Sequence, residues 1–294
     1  MNNFSIAQAI VEAAQVLRKA GVPEARREAG SLLEHIVGCD RTFLITHADD
    51  LLNADDMQRY NALVTRRAAG EPLQYLTGQQ EFYGLEFEVT PDVLIPRPET
   101  ELLIEKALLL IKEKTKTEKT DVLSICDLGT GSGCIAVTLL HLMPHARATA
   151  LDISTNALRV AARNAARHNV SERLTLIESD CFAALEGTSA QFDLIASNPP
   201  YINEADLDNL QREVREHEPR LALTPGADGL RMIRRLLADA PRFVIPDGHL
   251  LIEIGYDQHT AVERMIDTKI WQLLDIYKDL QSIPRTVALQ KINS

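Results

Sequence analysis

Asn198, Pro199, Pro200 and Tyr201 close the apolar run Phe192-Asp193-Leu194-Ile195-Ala196-Ser197. Their types suit one task, holding a flat, weakly nucleophilic NH2 group. The lone pair of an amide or exocyclic amino nitrogen is delocalised, so attack on an electrophile requires orientation and two acceptors for its N–H groups. The Asn198 side-chain oxygen and the Pro199 carbonyl could be those acceptors, and the Tyr201 ring could stack on a planar substrate. No strong base is then needed. The plainer reading is a Pro-Pro turn capped by Asn198.

A second constellation lies upstream, in Asp127-Leu128-Gly129-Thr130-Gly131-Ser132-Gly133. Glycines let the backbone approach a ligand, and a helix N-terminus beyond them offers free N–H groups to an anionic end. Asp152 follows the next strand at roughly the 20-residue offset where an acid takes the ribose hydroxyls of a nucleotide. It could instead cap the next helix, although Ser154 is better placed for that. Gly131, Gly133 and Ala136 also satisfy a loose dehydrogenase pattern. Register opposes it, because Asp127 and Gly129 already occupy the turn. Further on, Ser179-Asp180-Cys181-Phe182 ends another strand. Asp180 could accept adenine amino hydrogens with Phe182 near the ring, or the two could be a turn acid and a core aromatic.

These residues need elements to carry them. The run before Asn198 reads as a buried parallel strand that two prolines forbid to continue, so the tetrad leaves the sheet where open α/β folds bind ligands. Asp121–Leu128, Ala148–Leu151, Leu174–Glu178 and His249–Ile254 read as companion strands, with helices between them. Trp271–Tyr277 and Arg285–Gln290 read as a closing antiparallel pair. Residues 1–72 look wholly helical. Ser5 caps a helix bearing Ile6, Ile10, Ala13 and Leu17, a second runs from Pro23 to Gly38, a short third spans Phe43 to Ile45, and Asn53 caps a fourth. Residues 73–96 alternate in polarity and read as a hairpin connector, leaving 97–294 as the sheet domain. In Pro96-Arg97-Pro98-Glu99 the prolines hold Arg97 extended before a helix start. The segment Lys112–Thr120 reads as a polar connection.

At 294 residues with 45% hydrophobic composition, the chain can fill one sizeable core and a smaller one. A net charge of −11 opposes a broad phosphate-binding face, so long nucleic acid is not an expected partner. The four cysteines form no Cys-x-x-Cys pair and the eight histidines are scattered, so neither metal nor disulfide is expected. Without an apolar run of membrane length or a leader-like start, a soluble cytoplasmic protein is expected.

Taken together, Asp127-x-Gly129-x-Gly131-x-Gly133, Asp152 and Asn198-Pro199-Pro200-Tyr201 look like the motifs of an S-adenosylmethionine-dependent methyltransferase acting on nitrogen. The chain resembles the peptide-chain-release-factor glutamine methyltransferases, the HemK or PrmC family, over nearly its full length. Besides those motifs, Tyr75-Leu76-Thr77-Gly78, Glu81-Phe82-Tyr83-Gly84, Ile95 to Glu101, Glu218-Pro219 and Asp228-Gly229-Leu230 carry the resemblance. It implies a Rossmann-like class I methyltransferase sheet, with an N-terminal helical bundle for substrate recognition joined by a β-hairpin connector. The implied reaction is methylation of the glutamine side-chain amide in the Gly-Gly-Gln loop of bacterial class-one release factors. Gly129, Thr130, Gly131, Ser132 and Gly133 would wrap the amino-acid end of the cofactor and Asp152 its ribose. Asp180, Cys181 and Phe182 would border adenine. Asn198 to Tyr201 would hold the glutamine, with Asn198 also beside the cofactor and Arg97 on the substrate side. One position departs from the family, which has an aromatic residue where Cys181 stands, leaving Phe182 to cover for it. Three rivals remain: a glutamine methyltransferase of a large-subunit ribosomal protein, a nucleic-acid amino-methyltransferase, and a helical binding module on a degenerate nucleotide fold.

Overall fold

The structure is a computed structural model that describes residues 4–117 and 122–293. The chain forms two compact units, Met1–Gln79 with Gln211–His217, and Gln80–Leu210 with Glu218–Ser294.

The first unit is helical. Helix α1 (Ile6–Lys19) begins at a capping box in which Ser5 Oγ accepts from Gln8 N and Gln8 returns a bond to the Ser5 backbone. Helix α2 (Ala25–Val37) ends at Gly38 in the left-handed conformation, α3 (Arg41–Thr46) is capped by Asp40, and α4 (Ala54–Ala68) by Asn53. Helix α5 (Leu73–Thr77) follows. Leu17, Ala29, Leu32, Leu33 and Tyr60 are fully buried in this core. The Tyr60 hydroxyl inside it donates to the Ala29 carbonyl at 2.9 Å. Arg67, also buried, pairs with Glu28 and with Glu213, so the polar segment Gln211–His217 belongs to the helical unit through charge rather than through an apolar stripe.

In the second unit the alternating stretch forms a hairpin of β1 (Gln79–Phe82) and β2 (Leu85–Glu88), turned by Tyr83 and Gly84 at positive φ. The buried Asn164 side chain bonds both Glu88 backbone groups and the Ser132 carbonyl, which fixes the hairpin beside the glycine turn. Helix α6 (Glu101–Thr117) leads to the sheet, and the connection Lys112–Thr120 lies partly outside the described residues. The chain then alternates β3 (Leu123–Leu128), α7 (Cys134–Leu142), β4 (Ala146–Asp152), α8 (Thr155–Arg167), β5 (Leu174–Glu178) and β6 (Phe192–Ser197). Short helices α9 (Arg212–His217) and α10 (Arg220–Leu223) precede α11 (Arg231–Asp239), β7 (Val244–Glu253), α12 (His259–Met265), β8 (Trp271–Lys278) and β9 (Pro284–Lys291).

The sheet order is β5-β4-β3-β6-β7-β9-β8, parallel through β7 and antiparallel at β9 and β8. Apolar clusters cover both faces, so the Rossmann-like sheet expected from the sequence is present. Its chain order reverses at β3, between β4 and β6, which opens a crevice beyond the carboxyl ends of those strands. Strand β7 starts at Val244 rather than at His249, because a shift of register opposite Phe192 and Leu194 accommodates Pro246, Asp247 and Gly248 as a bulge.

Candidate active site

The glycine turn is zipped to the neighbouring strand. Gly129 N and Thr130 N donate to the Leu151 carbonyl at 2.8 and 3.0 Å, and Gly131 N donates to Asp152 Oδ2 at 2.8 Å. Gly129 and Gly131 have φ of 75° and 55°, which a side chain would resist. Gly133, at a φ of 82°, serves packing as well, since an added Cβ would lie 3.1 Å from Ala161 Cβ on α8. Behind the turn, Asp127 Oδ2 accepts from the Thr130 hydroxyl at 2.6 Å and from Ala136 N at 3.1 Å. Burial pushes the Asp127 carboxyl up to about 7. Asp152 is raised too, by burial, against the N–H donors of Ser154 and Gly131.

These groups face a cavity of about 220 Å³. Gly129, Thr130, Gly131, Ser132, Asp152, Asp180, Cys181, Asn198, Pro200 and Arg97 line it; Gly133, Phe182, Pro199 and Tyr201 do not. Phe182, expected beside the adenine, lies behind the cavity wall rather than on it. Cys181 takes a positive φ of 56°, and the following ring turns inward to stack on Phe243 at 4.9 Å, fully buried. Cys181 itself forms the wall, and burial pushes its thiol up to about 11, so it is an uncharged, weakly polar surface. The Asp180 carboxylate is exposed and receives a 2.6 Å bond from Arg235.

The tetrad leaves β6 next to the glycine turn, where the Ser197 hydroxyl donates to the Leu128 carbonyl at 2.7 Å. Asn198 Nδ2 donates to Thr100 Oγ1 at 2.9 Å, which leaves Oδ1 as its acceptor. Tyr201, expected as a stacking platform, does not line this cavity; its partly buried ring packs against the core cluster. Its hydroxyl donates to Glu253 Oε1 at 3.2 Å, and its carbonyl accepts from Gln258 Nε2 at 2.8 Å. Glu253 is fully buried and pushed up to about 7 by that burial, against hydrogen bonds from Thr100 and Tyr201. Arg97 reaches Glu218 at 2.5 Å, and Glu218 also accepts from Ile95 N at 3.3 Å.

Thr100, Glu253, Arg231 and Arg235 escaped the sequence reading. An acid closing an apolar strand run was a signal for Glu253, because buried charges are rare unless partnered. Arg231 and Arg235 were legible as the face of α11 opposite Ile233, Leu236 and Leu237.

The residues fit S-adenosylmethionine. The buried Ser132 hydroxyl on the wall has no oxygen or nitrogen partner among the described residues and suits a carboxylate. Asp152, beside it, has lone pairs to spare for hydroxyl donors. No group of His, Cys, Asp or Glu able to hold a metal occurs among the described residues. Sheet order, glycine turn and strand-end acid define an S-adenosylmethionine-dependent methyltransferase. Residues 105–226 match the model for the methyltransferase small domain, and residues 8–78 match that for the PrmC N-terminal domain. The hMettl16 catalytic domain, solved with a MAT2A 3'UTR hairpin, shares the fold at a TM-score of 0.53 and 14% identity, covering 82% of each chain. The release factor glutamine methyltransferase of Koribacter versatilis is 41% identical over 99% of this chain and 100% of its own. That of Burkholderia pseudomallei is 47% identical over 93% and 94%. The chain belongs to the release factor glutamine methyltransferase family.

Proposed function

We propose that this chain transfers the methyl group of S-adenosylmethionine to the side-chain amide nitrogen of a glutamine in a peptide chain release factor, the glutamine of the Gly-Gly-Gln loop of bacterial class-one factors. The observation that carries the reading is the Asn198 amide. Its NH2 is committed to Thr100, its oxygen remains for a donor, and it shares one cavity wall with the glycine turn and Asp152. An incoming primary amide would donate one N–H to Asn198 Oδ1 and the other to the Pro199 carbonyl, which turns its nitrogen toward the cavity. Gly129, Gly131 and Ser132 would receive the amino-acid end of the cofactor and Asp152 its ribose, with Asp180 and Cys181 at the base. Bound there, the cofactor supplies a sulfonium methyl as the electrophile. Holding the two reactants in near-attack geometry can be worth about 7–11 kcal/mol. As the N–C bond forms, the S–CH3 bond would break with its electron pair left on sulfur as a neutral thioether, the two acceptors would stabilise positive charge on nitrogen, and a proton would then leave to water.

Arg97, held by Glu218 at the rim, would contact the substrate backbone or side chains beside the glutamine, and the helical unit would recognise the body of the release factor. Such a reaction belongs in the cytoplasm. No helix among the described residues is long and apolar enough to cross a membrane. The test is mass spectrometry of release factor, ribosomal proteins and RNA after incubation with the enzyme and methyl-labelled cofactor. Label on the release-factor glutamine amide is expected; label confined to a ribosomal protein or RNA overturns the reading.

A further inference from the structure

We propose that Arg235 is a cofactor-binding residue: its guanidinium, held by Asp180, is the flat surface on which the adenine of S-adenosylmethionine stacks. The inference rests on the reading of the cavity as the cofactor site, and it names the group that covers the base.

A flat aromatic base is held by covering its face as well as by pairing its edge. No Phe, Tyr, Trp or His among the described residues lines the cavity. At the end formed by Asp180 and Cys181, the cysteine is buried and has no ring, and Phe182 is turned away onto Phe243. Helix α11 brings Met232 and Arg235 to the same cavity. Arg235 is thus the planar group next to Asp180, and guanidinium planes stack on aromatic faces.

The geometry holds that plane in place. Arg235 Nη1 donates to Asp180 Oδ1 at 2.6 Å, and Nη2 lies 3.4 Å from the Asp180 carbonyl oxygen. The donors of a guanidinium all lie in its plane, so contacts with one residue are made through its edge and leave its faces free. The side chain stays 39% accessible while lining the cavity. Asp180 is itself held in a closed turn, where the Ser179 hydroxyl donates to the Cys181 carbonyl at 2.7 Å and accepts from Ala184 N at 3.0 Å. An ion pair this exposed adds little to stability, so its use is orientation. It also cancels a charge. The cofactor carries a sulfonium cation, which a lone guanidinium in the same cavity would repel, and the Asp180 carboxylate removes that opposition.

The experiment uses S-adenosylhomocysteine with the full-length protein. Calorimetry compares the wild type with Arg235→Lys, which keeps the charge and a donor for Asp180 but loses the plane, and with Arg235→Ala, which loses all three. The Kd rises by about fivefold in Arg235→Lys and by about 10- to 30-fold in Arg235→Ala. A Kd for Arg235→Lys within twofold of the wild type shows that the pair with Asp180 alone matters, and overturns the inference. NMR of the arginine-labelled wild type reads the contact directly. The Arg235 Nε–H and δ-methylene protons shift upfield on saturation, because protons over an aromatic face are shielded. A downfield shift marks an edge contact, and that or no shift overturns the inference. If the wild type binds S-adenosylhomocysteine but labels no release factor, the functional reading falls and these two measurements still decide Arg235. A wild type that binds no S-adenosylhomocysteine overturns both.

Discussion

Gly229→Ala should separate chemistry from cofactor binding. Gly229 has a φ of 69°, and a Cβ there would lie 2.3 Å from the Tyr201 carbonyl oxygen, 2.9 Å from Gln258 Nε2 and 3.1 Å from Asn203 N. Two of those neighbours are backbone, and the third is the amide that holds Tyr201 by its carbonyl. Relief requires the Tyr201 oxygen to retreat by about 1 Å to reach ordinary contact. The left-handed conformation costs a residue with a Cβ about 1–2 kcal/mol, and overpacking adds about 1–3 kcal/mol. The melting temperature therefore falls by several degrees. The larger effect is on turnover, because Tyr201 continues directly from Asn198-Pro199-Pro200, and a shift of about 1 Å passed along that rigid segment to Asn198 can cost about 100-fold. The glycine turn and Asp152 lie on other strands, so cofactor affinity stays within a few-fold. Radiolabel transfer to release factor, measured well below the melting temperature, gives kcat, and calorimetry gives the cofactor Kd. A kcat within twofold of wild type, or a loss of cofactor affinity as large as the loss of kcat, would refute the reasoning.

Asn198→Ala removes the acceptor and leaves the cavity wall otherwise intact; cofactor Kd should change little while labelling of release factor is abolished, as a filter-binding assay will read. In Glu218→Gln, the guanidinium of Arg97 loses the charge that fixes it at 2.5 Å on a carboxylate only 1% exposed. The KM for release factor should rise several-fold with a smaller change in kcat, whereas an unchanged KM would remove Arg97 from the substrate path. Asp127 and Glu253, ordinarily near 3.8 and 4.5, both sit at about 7 when folded, so the folded protein binds their protons more tightly than the unfolded chain. Their contribution to stability is full below pH 4 and is lost as pH rises through about 7. Asp127→Asn, which cannot ionise, should flatten the decline of melting temperature between pH 5.5 and 8.5.

Much of this molecule is written in local chemistry. Ser5 and Asn53 cap the helices assigned to them, and Asp152 closes β4 while Ser154 caps the helix that follows. Two prolines end β6 where a ladder donor is missing. What stayed hidden depends on direction at single residues. Cys181 and Phe182 are adjacent, and a positive φ at the first decides which of them meets the cavity; sequence offers no rule for that choice. Tyr201 was read as a platform because an aromatic beside an asparagine suits stacking; in the structure its partly buried ring packs against the core and its hydroxyl bonds Glu253. The segment from Glu204 to Leu223 carries no apolar period, and its short helices are held by turns, caps and ion pairs between residues far apart in the chain.

Rigidity and selectivity occupy different parts of the site. Asn198 lies between a serine bonded to the next strand and two prolines with fixed φ, and its own NH2 is bonded to Thr100. Little freedom is left to lose when a substrate binds, which is what an orientation-driven reaction without a strong base requires. On the proposed reading, a corner so constrained would accept any planar NH2 and would not by itself distinguish a glutamine amide from an amino base. The fold does not distinguish them either, since it is shared with a domain solved on an RNA hairpin. On the proposed reading the choice of acceptor falls outside the corner: to the helical unit, and at the cavity to Arg97 on its Glu218 anchor and to Leu221 of α10, which is 59% exposed. Substitutions there should change which protein is methylated, whereas substitutions in the corner should change only whether methylation occurs.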